Sequence, residues 1–175
     1  MLKEIEFEIL ARRHSDEIFR YARSLLGDAG EAEDATQEAL LKLWRDLPKV
    51  RLGAARAWLY RTTRNHCIDV IRRRSGGRLS LLEEADTIEE TLATDEPSPL
   101  EALSLDELRE RLDGALQQVP EPQRSIFVLY EINGMRYREI AKILDLPINT
   151  VKVYLSRGRA KLRRTLTEDF PCATH

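Results

Sequence analysis

The residues from Tyr137 to Leu166 carry the sharpest chemistry in the chain. Tyr137-Arg-Glu-Ile-Ala-Lys-Ile-Leu144 reads as a short amphipathic helix and Asp145-Leu-Pro147 as a tight connection. Asn149 can cap a second helix continuing through Thr150, Val151 and Lys152. Helix, short turn and capped basic helix make the helix-turn-helix pattern, in which the first turns of the second helix face base edges in the major groove. That assigns Thr150, Lys152, Val153 and Tyr154 to bases and leaves Arg157, Arg159 and Lys161 for phosphates or bases. The plainer alternative is a helical hairpin with a solvated basic face. The agreement of cap, turn and charge favours DNA contact.

A second candidate surface lies on the segment Ala54 to Arg74, which as one helix would extend about 30 Å. Leu59, Thr63, Cys67 and Val70 recur at core spacing, with Tyr60 and Ile71 beside them. Trp58, Thr62, Asn65 and Asp69 form another stripe, mostly polar, with Arg61, Arg64 and Arg72 around it. An aromatic on a cation-flanked polar stripe is what a base-stacking surface requires. A single tryptophan also anchors cores, so the two readings of Trp58 weigh about evenly. Trp44 and Tyr60 are assigned to packing.

Helices must position both surfaces, because helical periodicity dominates and no stretch alternates long enough for a sheet. The predicted elements are a helix from Phe7 to Leu26, punctuated by Gly27 and Gly30, and a helix from Ala32 to Leu47. The long helix follows, ended by Ser75-Gly76-Gly77. Beyond an acidic stretch with Pro97 and Pro99 come a helix from Leu100 to Val119 and another opened by Pro120 and Pro122 and closed by Asn133-Gly134. The fold class is all-α: two small helical domains joined by a flexible acidic linker, with domains at 1–75 and 106–168, the linker at 76–105 and a tail at 169–175.

The charge map follows the same division. The 175 residues carry a net charge of only -2, yet seven basic residues face one acid between Arg51 and Ser75. Twelve acids face three basic residues from Gly76 to Asp113, and ten basic residues face six acids from Gly114 onward. Two nucleic-acid-facing modules separated by an acidic connector account for this asymmetry.

Met1 to Ser15 carries spaced acids and no apolar run, so it is not a signal peptide, and no run approaches membrane-spanning length. A cytosolic protein is expected, with Cys67 and Cys172 reduced. There is no phosphate-cradling glycine loop, His-Glu-x-x-His or nucleophile elbow, so no enzyme, cofactor or metal is expected. His66 and Cys67 point about 100° apart on a helix, and zinc would need Cys172 and His175 to fold back.

Asp-Ala-Thr-Gln-Glu-Ala (34–39), Ala-Trp-Leu-Tyr-Arg (57–61) with Arg64-Asn65 and Ile68-Asp69, and the helix-turn-helix stand in an order and spacing that resembles extracytoplasmic-function sigma factors of the sigma-70 family. The resemblance runs from about Ala11 to Leu166. It implies a transcription initiation factor that binds core RNA polymerase through its β′ clamp and β flap and directs it to promoter DNA.

By the resemblance, Asp34, Gln37 and Glu38 fall where the family docks on the clamp, although each acid alone reads as a solvated face. The long helix matches the minus-ten recognition and melting segment. Trp58, Thr62 and Asn65 are its candidates for a captured base, and residues 47–53 a candidate pocket wall. Lys49, Arg51, Arg61, Arg64, Arg72, Arg73 and Arg74 would hold phosphates.

The helix-turn-helix matches the minus-thirty-five reader. The family commonly has Ser and Arg where this chain has Val153 and Tyr154, so a bidentate guanine contact is lost and promoter preference does not transfer. Glu83, Glu84, Asp86, Glu89 and Glu90 could mimic RNA in the polymerase exit channel, or serve only as a solubilising spacer. The family acts as one copy per polymerase, so a monomer is expected when free, nucleoid-associated in holoenzyme. Many members are held by an anti-sigma factor, and no residue here settles whether this one is. The alternatives are a stand-alone helix-turn-helix regulator acting without polymerase, and a decoy that binds core without opening DNA.

Overall fold

The computed structural model describes residues 1–76 and 104–168, and every described element is helical. The acidic candidates from Glu83 to Glu90, and Cys172 and His175, lie outside the described residues. Among those described, no helix is long and apolar enough to cross a membrane.

Helix α1 spans Leu2–Leu26, five residues more at its start than the sequence pattern predicts. It buries Leu10, His14, Ile18, Tyr21, Ala22 and Leu25, one face at three- and four-residue spacing. Gly27 ends it at φ 72, a left-handed conformation that glycine adopts without steric cost, and returns its N–H to the Arg23 carbonyl at 2.9 Å. Helix α2, Ala29–Asp46, starts three residues before the predicted Ala32. Asp28 sets the boundary, its carboxylate accepting the Glu31 N–H at 2.8 Å. Single 3-10 turns at Leu47–Lys49 and Leu52–Ala54 lead into α3, Ala55–Arg74. Leu59, Tyr60, Thr63 and Cys67 are buried there, so α1 to α3 close one core.

The second unit opens with α4, Leu105–Gln117, started by a reciprocal Ser104 and Glu107 capping box. Helix α5, Gln123–Phe127, continues into a wider turn, Val128–Ile132. Helix α6, Tyr137–Leu144, and α7, Ile148–Glu168, complete it. Gly158 of α7 sits against α5, where an added Cβ would come within 3.3 Å of the Gln123 carbonyl oxygen.

The two units are packed on each other, an arrangement that nothing in the sequence announces. Arg124, buried on α5, donates to Leu25 O of α1 at 2.8 Å and, within its own unit, to Val119 O at 2.9 Å and Gln117 O at 2.8 Å. Gln117 Nε2 reaches Ser24 O at 3.3 Å. The last carbonyls of α1, orphaned by helix geometry, are thus satisfied from the other unit.

Candidate nucleic-acid interface

Helix α6 ends at Asp145, whose φ of 54 is left-handed, and the Leu146 N–H reaches back to Ala141 O at 3.0 Å. Aspartate is among the few residues with a side chain that tolerate this conformation, which lets three residues turn the chain into α7. Asn149 is not the cap that its type suggests. The helix already includes Ile148, and the Val151 N–H bonds the Pro147 carbonyl at 3.1 Å, which puts Asn149 in the first turn.

Val151, Leu155, Gly158 and Leu162 are the buried face of α7. Lys152 and Val153 are therefore exposed, with Thr150 and Tyr154 half-buried at the edges. Lys152 Nζ lies 5.5 Å from the Tyr137 ring centroid, and the Arg157 guanidinium 5.8 Å from that of Tyr154. Arg159 is exposed but already engaged: its Nε donates to Glu131 at 2.5 Å and its guanidinium lies 5.4 Å from the Tyr130 ring centroid. Lys161 is half-buried. Tyr130 stacks on Tyr137, centroids 4.9 Å apart, and sequence reasoning missed this pair because its members sit on different elements.

On α3 the predicted stripe is divided. Trp58 is half-buried against the core, Thr62 is half-buried and Asn65 is exposed. Lys49, Arg51, Arg72 and Arg73 are exposed, and Arg72 also lies 3.8 Å from Asp69. Arg61 and Arg64 turn toward the second unit. Arg61 Nε donates to Ile143 O at 3.1 Å and its Nη2 to Lys142 O, and Arg64 Nε donates to Ser125 Oγ at 3.2 Å with its Nη2 3.5 Å from Glu121. Arg74 bonds Leu26 O at 2.9 Å and pairs with Glu31.

Beside them lies a polar cluster absent from the sequence reading. Arg56 Nη2 and Glu17 are 3.0 Å apart, Tyr60 donates to Glu17 at 3.2 Å, Asn133 donates to Tyr60 at 3.1 Å, and His14 Nδ1 is 2.5 Å from Glu17. Burial raises the Glu17 carboxyl, but hydrogen bonds from Arg56 and His14 outweigh it and hold the group below its ordinary 4.5. Asp34 and Gln37 are exposed on α2 and Glu38 is partly so, 3.5 Å from Lys42. Among the described residues no cluster of His, Cys, Asp and Glu could hold a metal ion.

Sigma-70 region 2 matches residues 10–76, and Sigma-70, region 4 matches residues 109–162. The chain is 31% identical over 166 residues to the RNA polymerase sigma-H factor of Pseudomonas aeruginosa, covering 91% of this chain and 86% of that one. The chain belongs to the sigma-70 family, in its extracytoplasmic-function group.

It is also 33% identical over 160 residues to the ECF RNA polymerase sigma factor SigE of Mycolicibacterium smegmatis, covering 91% of this chain but only 61% of that relative. Two solved structures are similar, each with a TM-score of 0.68 and 26% identity. The Bartonella quintana sigma factor RpoE, solved with the anti-sigma factor NepR, matches 92% of this chain and 96% of its own. CnrH, solved with the cytosolic domain of CnrY, matches 93% of this chain and 88% of its own. In this sigma factor the helix-turn-helix lies within the region 4 match, and the arginine-rich α3 within the region 2 match.

Proposed function

We propose that this chain is a cytoplasmic transcription initiation factor that binds core RNA polymerase and directs it to promoters, working as a specificity factor rather than as a catalyst. The observation that carries the DNA side of the reading is α7, which buries Val151 and Leu155 and leaves Lys152 and Val153 outward beside a tight turn. That arrangement can enter a major groove.

In this reading residues 1–75 dock on the polymerase clamp through Asp34, Gln37 and Glu38. They capture the melted minus-ten strand with Trp58, Thr62 and Asn65, held by Lys49, Arg51, Arg61, Arg64, Arg72 and Arg73. Residues 106–168 read the minus-thirty-five duplex through Thr150, Lys152, Val153 and Tyr154, with Arg157, Arg159 and Lys161 near phosphates and the unit seated on the β flap. Holding both units on one polymerase gives an avidity that neither reaches alone. RpoE was solved with an anti-sigma factor, which supports a regulator of that kind here.

Run-off transcription from a randomised promoter library, with bacterial core polymerase and with or without the protein, tests the reading. Transcripts that need the protein, from templates sharing two spaced elements, are the expected result. DNA binding without core and no initiation would return the stand-alone regulator, and core binding without initiation the decoy.

A further inference from the structure

Four side chains form an alternating stack across the helix-turn-helix. Tyr130 and Tyr137 lie nearly parallel, their rings 11° apart with centroids at 4.9 Å. The Lys152 ammonium closes one side, 5.5 Å from the Tyr137 centroid, and the Arg159 guanidinium closes the other, 5.4 Å from the Tyr130 centroid. Lys152 and Arg159 stand seven positions apart on α7, which is two turns and about 10.5 Å along its axis. They therefore share one face of the helix, with the tyrosine pair between them.

The backbone fixes that pair. Within the wide turn the Asn133 N–H bonds Val128 O and the Met135 N–H bonds Leu129 O, each at 3.0 Å. Gly134 then turns the chain at φ 65 toward α6, of which Tyr137 is the first residue. Arg159 pairs with Glu131 of the same turn, so an ion pair anchors the Tyr130 end of the stack. Both tyrosines are half-buried, whereas Lys152 is exposed. Among the described residues its ammonium makes no ion pair or hydrogen bond, and the Tyr137 ring is its contact.

We propose that Tyr137, backed by Tyr130 and Arg159, is a positioning residue for Lys152: its ring confines the flexible lysine side chain to one direction before DNA is met. The inference rests on the proposed function, in which Lys152 meets a base or a phosphate. A lysine free in solvent gives up rotamer freedom when it binds. One already laid against a ring gives up less, and presents its charge from a fixed place. Tyr137 acts through the face of its ring, and its hydroxyl need not touch DNA.

The first reading is taken on the free full chain by nuclear magnetic resonance. The ε-methylene protons of Lys152, assigned by their loss in Lys152→Ala, should be shifted upfield by the ring in the unaltered chain and in Tyr137→Phe. In Tyr137→Leu they should return to the ordinary lysine position. Holoenzyme binding is then read by fluorescence anisotropy on a labelled promoter duplex recovered from the run-off library. Tyr137→Leu should bind about fivefold more weakly, the size expected for a lost cation–π contact and the ordering it provides. Tyr137→Phe should bind as tightly as the unaltered chain, and in a Lys152→Ala background the leucine exchange should change affinity little. If Tyr137→Leu impairs folding, Tyr130→Leu, which removes the backing ring, carries the same cycle.

A Lys152 signal at its ordinary position in the unaltered chain overturns the inference. An equal loss of binding in Tyr137→Phe also overturns it, because the hydroxyl would then be the contact. The same holds if the leucine exchange weakens binding equally with and without Lys152, which would leave the ring a packing element only. Run-off transcription by the unaltered chain separates the two levels. Initiation without coupling between Tyr137 and Lys152 removes the inference alone, and no initiation removes the functional reading together with the role built on it.

Discussion

At the scale of the residue, the side chains around Glu17 show how burial and pairing compete. Its carboxyl is held below 4.5, so it adds stability that is present above the unfolded value and is lost as pH falls through the folded one. Glu17→Gln cannot titrate. It should lower the melting temperature at neutral pH, by the equivalent of about 1 kcal/mol, and the gap should close as pH falls through the folded value of the carboxyl. A gap constant across that range would remove the assignment.

Cys67 is fully buried, and burial pushes its thiol up to about 12. It should resist thiol reagents in the native protein and react only on unfolding, a contrast that a colorimetric thiol assay reads directly. Lys152, exposed on the outward face of α7, is a phosphate or base contact in the proposed reading. Lys152→Ala should weaken duplex binding by the holoenzyme. A uniform loss with a salt slope reduced by about one marks a phosphate contact, and a loss confined to one base position marks a base contact.

At the scale of the element, the helix boundaries are set by local devices and the packing by small residues. Asp28 and Ser104 start α2 and α4 through side-chain caps, and Gly27 ends α1. Gly158 has a tertiary reason, since a Cβ there would crowd the Gln123 carbonyl oxygen at 3.3 Å. Gly158→Leu should cost about 2 kcal/mol through overpacking despite leucine's better helix propensity, measured by thermal melting followed by circular dichroism. No loss of stability would mean that α5 and α7 can part at that point without strain.

At the scale of the whole molecule, the closed arrangement and the proposed polymerase complex differ in how far apart the units stand. Fluorophores on Arg45→Cys of α2 and Arg163→Cys of α7, both exposed positions, would report that distance by resonance energy transfer, with Cys172 replaced and the buried Cys67 unreactive. Transfer efficiency should fall when core polymerase is added. Constant efficiency on a complex that initiates transcription would show that the units move onto polymerase together.

The sequence by itself determined the helices, their order, the helix-turn-helix and the family, because periodicity, caps and turn residues act over three or four positions and leave their mark locally. It misplaced the start of α7 at Asn149, where the Pro147 carbonyl does the work that the side chain was expected to do. Only the tertiary structure decided what the arginines touch. Arg61 ends on carbonyls 81 and 82 residues away and Arg124 on one 99 residues away. A backbone carbonyl is the same group in every residue, so no residue type in the sequence can mark it as a partner.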